Sequence, residues 1–485
     1  MLTPSEIKTF IDNDKASARK RHAREGLRYY EGDHDIRDYR MFFINADGKI
    51  VEDTTKSNIK ISHPFFTELV DQEVQYTLSS KDGFVKSDDP ELQNKLDAYF
   101  NNNDAFLAEL SDILTGAVAK GFEYAYAYKD SGGRTAFKCA DSLCVVEVSG
   151  KDASDGNEYV IYYYTHFIGS GNKKITHIQV WDESQTYYFC QVDDGAIVED
   201  KTVEYNPRPH TIWEREGDEA VYCESFGFIP FFRIDNCGKQ FSGLKPIKAL
   251  IDDYDLMSCG LSNNIQDTNE ALYVVKGFQG DNLDDLMQNI RTKKHIGVDD
   301  DGGVDIKTIE IPFDARKTKL EIDEKNIYRF GMGFNSAQIG DGNITNIVIK
   351  SRYALLDLKC NKLEAQLKQF MRKLIKGVLD EINAATGTGY QMKDIYFDFK
   401  REIMTNAADN AQIALTDAQR RQTEINTILN LAGTLDDDTA LKLICEQLDV
   451  DYQEVKGKAP NSEDDLTAAA QAALEAVKPD GDVIE

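Results

Sequence analysis

SGLKPIKALIDDYDLMSCGLSNNIQD, residues 242–267, opens on a candidate helix cap at Ser242 and tolerates a helix start at Pro246. Leu250, Tyr254, Met257, Leu261 and Ile265 then recur at steps of four, three, four and four, which predicts one face of a long helix reaching residue 270. Beyond it the patterns are short and punctuated. ALYVVKG (271–277) reads as a strand, DNLDDLMQNIRTKK (281–294) as a helix, and HIGVDDDGGVDIKTIEI (295–311) as a strand, an acidic turn and another strand. Pro312 opens PFDARKTKLEIDEKNIYRF (312–330), where Phe313, Leu320 and Ile327 recur every seven residues. A second helix thus returns from the insert that the first one enters, and an antiparallel pair would carry the small insert at the end of a helical stalk.

Downstream, GMGFNSAQIGDGN (331–343) holds Gly331, Gly333, Gly340 and Gly342 and no continuing apolar period, so it reads as a loop with high backbone freedom. NIVIKSRYALLDLKCNKLEAQLKQFMRKLIKGVLDE (346–381) is the clearest helix in the chain. Leu356, Leu363 and Phe370 repeat by sevens, as do Leu367 and Leu374, and this stripe needs burial. Its basic residues, Lys350, Arg352, Lys359, Lys362, Lys368, Arg372, Lys373 and Lys376, read as solvated or as intersubunit ion pairs before direct DNA contact. DIYFDFKRE (394–402) alternates like a strand, and 405–450 reads as two or three helices, one capped by the acids of 435–438 and bearing Leu441, Ile444 and Leu448. Residues 451–485 carry nine acids against three lysines and read as a mobile acidic tail.

Upstream, residues 5–30 predict one or two surface helices ending at Gly32. ARKRHAREGLR within them reads as a solvated basic face, with contact to a partner chain or nucleic acid as the alternative. A helix is predicted over 63–78 and further helical material over 90–129. Between Arg134 and Phe232 short β-branched and aromatic runs predict antiparallel strands laid against that helical body. Tyr162, Tyr163 and Tyr164 alternate across one of them and read as core and rim packing, not as a base-stacking platform.

Composition bounds the function. The chain has 485 residues, which suggests about three structural units, and 56 Lys plus Arg against 84 Asp plus Glu give 56 − 84 = −28. That balance excludes a simple basic nucleic-acid binder, although an acidic assembly can surround a polyanion without gripping it. No apolar run approaches a membrane span, and MLTPSEIKTFIDNDK lacks a basic-then-apolar secretory pattern, so a soluble cytoplasmic product is expected. Cys139, Cys144, Cys190, Cys223, Cys237, Cys259, Cys360 and Cys445 form no C-x-x-C pair and read as buried free thiols in a reducing compartment.

Chemistry-bearing motifs are missing. There is no G-x-x-x-x-G-K-[ST] loop, H-E-x-x-H pair or G-x-S-x-G elbow. GMGFNSAQIG follows a helix and lacks the third glycine of a dinucleotide motif. DDDGGVD (299–305) is too short for a calcium loop and reads as a turn. The seven histidines have no metal-ligand spacing, so no metal, cofactor or catalytic residue is expected.

RYYEGDHDI (28–36), NIKISHPFFTELVDQEVQYTL (58–78), FGFIPFFRIDN (226–236) and SGLKPIKALIDDYDLMSCGLSNNIQD (242–267), succeeded by the paired helices, insert, Gly-rich loop and long helix, resemble in that order the portal proteins. These are the head-to-tail connectors of tailed double-stranded-DNA phages, and the siphophage-type subgroup matches over nearly the whole chain except its acidic tail. The resemblance implies an α+β, mainly helical portal fold in a ring of about twelve subunits. It places an antiparallel β-rich wing at 1–241, the first stem helix at 242–270, an α/β clip at 271–311 and the second stem helix at 312–330. A tunnel loop at 331–345, a long wing helix and strand at 346–404, a crown at 405–450 and the tail at 451–485 complete the chain. The implied role is a non-enzymatic DNA conduit at one vertex of the virion, assembled in the host cytoplasm. Its implied partners are further copies of itself, the terminase large subunit, major capsid and scaffolding proteins, a head-completion or adaptor protein, and double-stranded DNA in transit; no membrane is implied. Asn335, Ser336, Gln338 and Asn343 are the candidate DNA-facing loop residues, and Lys325 and Arg329 a candidate cationic tier in the stem. Two other readings remain at this point: an intracellular helical scaffold using the long helix and acidic tail, and a motor or enzyme subunit, against which the missing phosphate loop counts.

Overall fold

The computed structural model describes residues 1–45, 47–54, 56–80, 82–150, 156–168, 173–214, 221–267, 272–278, 298–307, 312–335, 346–401, 407–431, 437–448, 450 and 452. The chain divides into two compact units, Met1–Gly340 with Arg352–Glu402, and Asp341–Ser351 with Ile403–Glu485.

The first unit begins with α1 (Pro4–Ala16) and α2 (Ala18–Tyr30). Thr3 and Glu6 cap α1 reciprocally, and Ser17 caps α2 through the amide of Lys20. The solvated basic face expected for α2 is corrected by its contacts. Lys20 is fully buried, its ammonium donating to the carbonyls of Ser142 and Val145 and lying 2.9 Å from Asp14. Burial pulls its pKa down, and the Asp14 charge only partly offsets that. Arg19 lies over Phe122, Arg24 donates to the carbonyl of Lys15, and Arg28 pairs with Asp35. Most of this cationic stretch is therefore used inside the chain.

Strands β1 (Phe42–Ile44) and β2 (Ile50–Glu52) form a hairpin ahead of α3 (Phe65–Thr77). Strand β3 (Val85–Lys86), α4 (Pro90–Leu96) and α5 (Asp104–Lys120) come next. The helix expected through residue 129 stops at Gly121, whose φ of +96° closes α5, and FEYAYAYK becomes strand β4 (Phe122–Lys129). Strand β4 lies between β14 (Phe231–Asp235) and β5 (Thr135–Ala140). A second antiparallel sheet runs β10 (Ile197–Glu199), β9 (Gln185–Val192), β8 (Lys173–Trp181), β7 (Asn157–Ile168), β6 (Val145–Ser149), with β11 (Arg208–Pro209) on β9. Strand β12 (Thr211–Glu214) pairs with β13 (Val221–Glu224). Ile7 and Ile11 of α1 pack on Val146, Ile161, Ile178 and Val180 of the larger sheet. On β7, Tyr163 is buried, while Tyr162 faces Tyr126 and Phe231, as the packing reading expects.

Helix α6 spans Lys248–Asp267 and α7 spans Phe313–Phe330. Between them β15 (Leu272–Phe278) and β16 (Val298–Lys307) form an antiparallel pair. The acidic turn expected at 299–305 is corrected: DDDGG lies within β16, where the register shifts between Lys276 and Phe278 so that Gly303 and Val298 face them. The helix expected over 281–294 lies outside the described residues.

Helix α8 (Asn346–Thr386) is longer than the 346–381 expected. Its Leu356, Leu363, Leu367, Phe370 and Leu374 are all buried, as the seven-residue spacing requires. They join α3, α4, α5, α6 and α7 in the main core through Leu69, Val70, Leu92, Leu110, Ile251 and Ile327. Among its bases, Lys359 pairs with Glu73 and Lys368 with Glu364, while Lys362, Arg372, Lys373 and Lys376 stay exposed. Strand β17 (Tyr396–Phe397) closes on β3. No disulfide joins the eight cysteines; Cys259, Cys360 and Cys445 are buried as expected, but Cys223 is exposed.

In the second unit α9 (Ala407–Leu431) packs against α10 (Asp437–Leu448), with Ile425, Ala440, Ile444 and Cys445 buried. Helix α10 starts at Asp437, in the acidic stretch expected to cap it. Apart from Tyr452, the acidic tail lies outside the described residues.

Candidate functional site

Helices α6 and α7 run antiparallel. The Lys319 ammonium reaches Asp253, and Arg316 lies over Gly260, so rising numbers on one helix meet falling numbers on the other. Lys319 also bonds Asp323 one turn along its own helix; the Asp253 and Asp323 hydrogen bonds raise its pKa. The α6 face expected from Leu250, Tyr254, Met257, Leu261 and Ile265 is not the buried one. Burial falls on Ile251, Asp255 and Cys259, and Ile265 is exposed. Ile251 joins the main core, while Asp255 and Cys259 on the same face are buried against an extended backbone segment, which needs hydrogen-bond partners instead of apolar side chains.

That segment is 57–63. Its alternate amides donate to side chains one turn apart on α6: Ser57 to Asp267 at 3.1 Å, Ile59 to Asn263 at 2.7 Å, Ile61 to the Cys259 sulfur at 3.2 Å, and His63 to Asp255 at 3.0 Å. A column of helix side chains replaces the partner strand that these amides would otherwise need. At the end of the ladder the Asp255 carboxylate also accepts from His34 Nδ1 at 2.6 Å and His63 Nδ1 at 2.7 Å. Burial pushes the Asp255 pKa up, but the hydrogen bonds from both histidines outweigh it and hold the carboxyl below its ordinary value. His34 stacks on Tyr29, with ring centroids 4.5 Å apart.

Just past α7, residues 331–335 are held in place; the rest of the loop expected over 331–343 lies outside the described residues. Gln72 on α3 donates to the carbonyl of Phe334 at 2.8 Å and accepts its amide at 2.9 Å. Phe334 stacks on Tyr353 of α8 at 4.6 Å, and Tyr328 donates to Glu68 at 2.5 Å. A Cβ on Gly333 would come within 2.0 Å of Leu69, which explains glycine there. The Glu68, Asp71 and Gln75 side of α3, with Pro64 and Phe65, lines an open cleft of about 700 Å³.

Of the candidate loop residues, Asn335 donates to Glu324 at 2.8 Å, while Ser336, Gln338 and Asn343 lie outside the described residues. Lys325 and Arg329 are exposed one turn apart on α7. Gln72, Glu68 and Asp255, which hold residue 334, Tyr328 and segment 57–63, carry no sequence signal that separates them from the other polar residues of α3 and α6. Among the described residues no group of three or more His, Cys, Asp or Glu is arranged to hold a metal ion.

The family model "Phage portal protein, SPP1 Gp6-like" matches residues 10–454. The chain belongs to this phage portal protein family. It is 26% identical over 392 residues to the portal protein of Bacillus phage SPP1, covering 80% of this chain and 76% of that one. It is 25% identical over 429 residues to the portal protein of Clostridium phage phiCD119, covering 84% of this chain and 88% of that one. A solved structure described as "Neck of native GTA particle computed with C12 symmetry" aligns over 79% of this chain and 89% of its own at 12% identity and a TM-score of 0.37. Membership makes the work of this portal-family chain structural: it is a virion protein of the DNA conduit at a capsid vertex.

Proposed function

We propose that the chain closes into a ring of about twelve copies at a single capsid vertex, docks the terminase large subunit while DNA is packaged, and receives head-completion proteins afterwards. The observation carrying this reading is the family match across 10–454, which spans both compact units. In it, 1–241 forms the wing, α6 and α7 the stem within 242–270 and 312–330, and 271–311 the clip. Residues 331–345 form the tunnel loop, 346–404 the long wing helix and strand, and 405–450 the crown.

Motion of DNA is driven by the terminase, and the ring contributes a passage. At −28 per copy, repulsion of phosphates favours transit over adhesion. Lys325 and Arg329 form a sparse cationic tier, and Asn335, Ser336, Gln338 and Asn343 make sequence-independent contacts with the DNA. Native mass measurement with negative-stain imaging of the full chain tests the ring: closed rings with a central hole are expected, and a persistent monomer or short coiled assembly with capsid partners present would favour a scaffold. A ring-with-DNA reconstruction tests the loop, whose placement away from the bore would remove its DNA-facing role.

A further inference from the structure

Helix α8 turns a cationic stripe to solvent. Residues 362–376 hold five bases against one acid, a local balance of +4 that leaves −28 − 4 = −32 for the rest of the chain. The single acid, Glu364, is already shared by Lys368 and Arg401. Lys362, Arg372, Lys373 and Lys376 are exposed, and none has an ion pair among the described residues. With Ala365 and Gln369 they recur at helical steps on the side opposite the buried Leu363, Leu367, Phe370 and Leu374, over about 21 Å. Packing of the core uses none of these cations. Four unpaired bases on one helix face of an acidic chain mark a surface suited to an anionic partner.

An oppositely charged surface belongs to the same compact unit, on the far side of α3. Glu73 points to α8, where Lys359 holds it at 3.0 Å. Asp71 stands two residues earlier, about 200° around the helix axis, and there it accepts from the Tyr30 hydroxyl at 3.0 Å. Asp112 of α5 adds to it: burial, the Asp71 hydrogen bond and the Asp71 and Asp112 charges push the Tyr30 hydroxyl up to about 12. Asp104, Ala108 and Asp112 recur every four residues and are exposed along α5, with the small Ala108 leaving room for a helix to approach. Asp71, Asp104 and Asp112 carry no ion pair among the described residues. One copy cannot bring its stripe to its own acids, because the two faces look away from each other across α3. Opposite charges on opposed faces of one body are the parts of a head-to-tail contact between copies. Duplex DNA fits the stripe less well, since the acids elsewhere on the chain repel its phosphates.

We propose that the α8 stripe of Lys362, Arg372, Lys373 and Lys376 ion-pairs with the Asp71, Asp104 and Asp112 face of a second copy of this chain. The inference rests on the ring reading above and adds the contact that orients neighbours within it.

The test is a charge swap in the full-length chain. One variant carries Arg372→Glu and Lys376→Glu, the other Asp71→Lys and Asp112→Lys. All four side chains are exposed, and the first pair has no ion pair to lose, so its circular dichroism and melting should match those of the unsubstituted chain. Association is read by sedimentation velocity across a concentration series in about 0.1 M salt, where exposed charges act over about 10 Å. Each variant alone should associate at least about tenfold more weakly, because attraction at every contact becomes repulsion. An equal mixture of the two should recover the unsubstituted strength, since each contact between unlike copies again joins opposite charges. In about 1 M salt the gap between the variants and the unsubstituted chain should shrink. If unsubstituted rings form, and either the variants also form them at equal concentration or the mixture stays as weak as its components, the contact is wrong and the ring stands. Unchanged assembly of the Arg372→Glu, Lys376→Glu variant with loss of binding to a short DNA duplex would overturn the contact and give the stripe to nucleic acid. If the unsubstituted chain never assembles with its capsid partners present, the ring reading fails and takes the contact with it.

Discussion

Asp255→Asn should release segment 57–63 from α6. Three donors converge on this fully buried carboxylate, the Nδ1 atoms of His34 and His63 and the His63 amide, at 2.6, 2.7 and 3.0 Å. Asparagine keeps one carbonyl oxygen and turns an NH2 group toward a histidine that needs an acceptor. Removing one partner of a buried charged arrangement costs about 3–5 kcal/mol, because the remaining donors stay buried without it. At 1.36 kcal/mol per tenfold, that is about two to nearly four orders of magnitude in local opening. Amide hydrogen exchange at Ile59, Ile61 and His63, normalised to intrinsic rates, should accelerate by that factor while amides of β8 stay unchanged. Unchanged exchange at Ile59 and Ile61 would refute the claim that Asp255 anchors the ladder. The acid dependence supplies a second check. A carboxyl whose folded pKa is lowered binds fewer protons in the folded chain, so its stabilisation is complete above the ordinary carboxylate value of about 4 and is lost as pH falls through the lower folded value. The Asn variant should lack that acid-side loss.

Gly26→Ala should lower the melting temperature despite alanine's better helix propensity. A Cβ there would sit 2.0 Å from the Ala119 carbonyl oxygen, and the overpacking of α2 against α5 should leave a net loss of at least about 1 kcal/mol. Gln72→Ala removes both hydrogen bonds to Phe334 and should raise exchange at the Phe334 amide about tenfold, with global melting little changed. Leu367→Ala, at a fully buried position of α8, should cost about 2–5 kcal/mol in denaturant unfolding. Lys325→Glu with Arg329→Glu should leave melting unchanged, since both side chains are exposed; a loss of folded stability would show that they are structural.

Helical spacing is local, and it reported well where a helix buries one apolar stripe. The heptads of α8 named the residues that are buried, and Pro312 marked the start of α7. The same arithmetic failed on α6 because Asp255 and Cys259 are buried for hydrogen bonding to a backbone segment about two hundred residues away, a reason that hydropathy does not register. FEYAYAY was legible as alternation only after Gly121 was known to adopt a left-handed conformation and stop α5. Lys20 resembled its exposed neighbours in sequence, yet its ammonium satisfies carbonyls at the start of β6. At the candidate site, the glycines of 331–333 suggested looseness, whereas glycine is there because Leu69 approaches too closely for any side chain. Partners distant in sequence decided the cases of α6, Lys20 and the 331–333 glycines, whereas Gly121 acted locally.

The ladder between segment 57–63 and α6 also limits its own length. Two extended residues advance about 6.6 Å, while four helical residues advance about 6.0 Å, so each rung slips about 0.6 Å against the last. Over the three intervals between four rungs the slip reaches about 1.8 Å, within what side-chain torsions absorb; further rungs would approach the length of a hydrogen bond itself. The segment works as a vernier that stays in phase for only a few marks. Chain leaving the helix at either end is thus a geometric consequence, and it is at those two ends that the hairpin and α3 begin their separate courses.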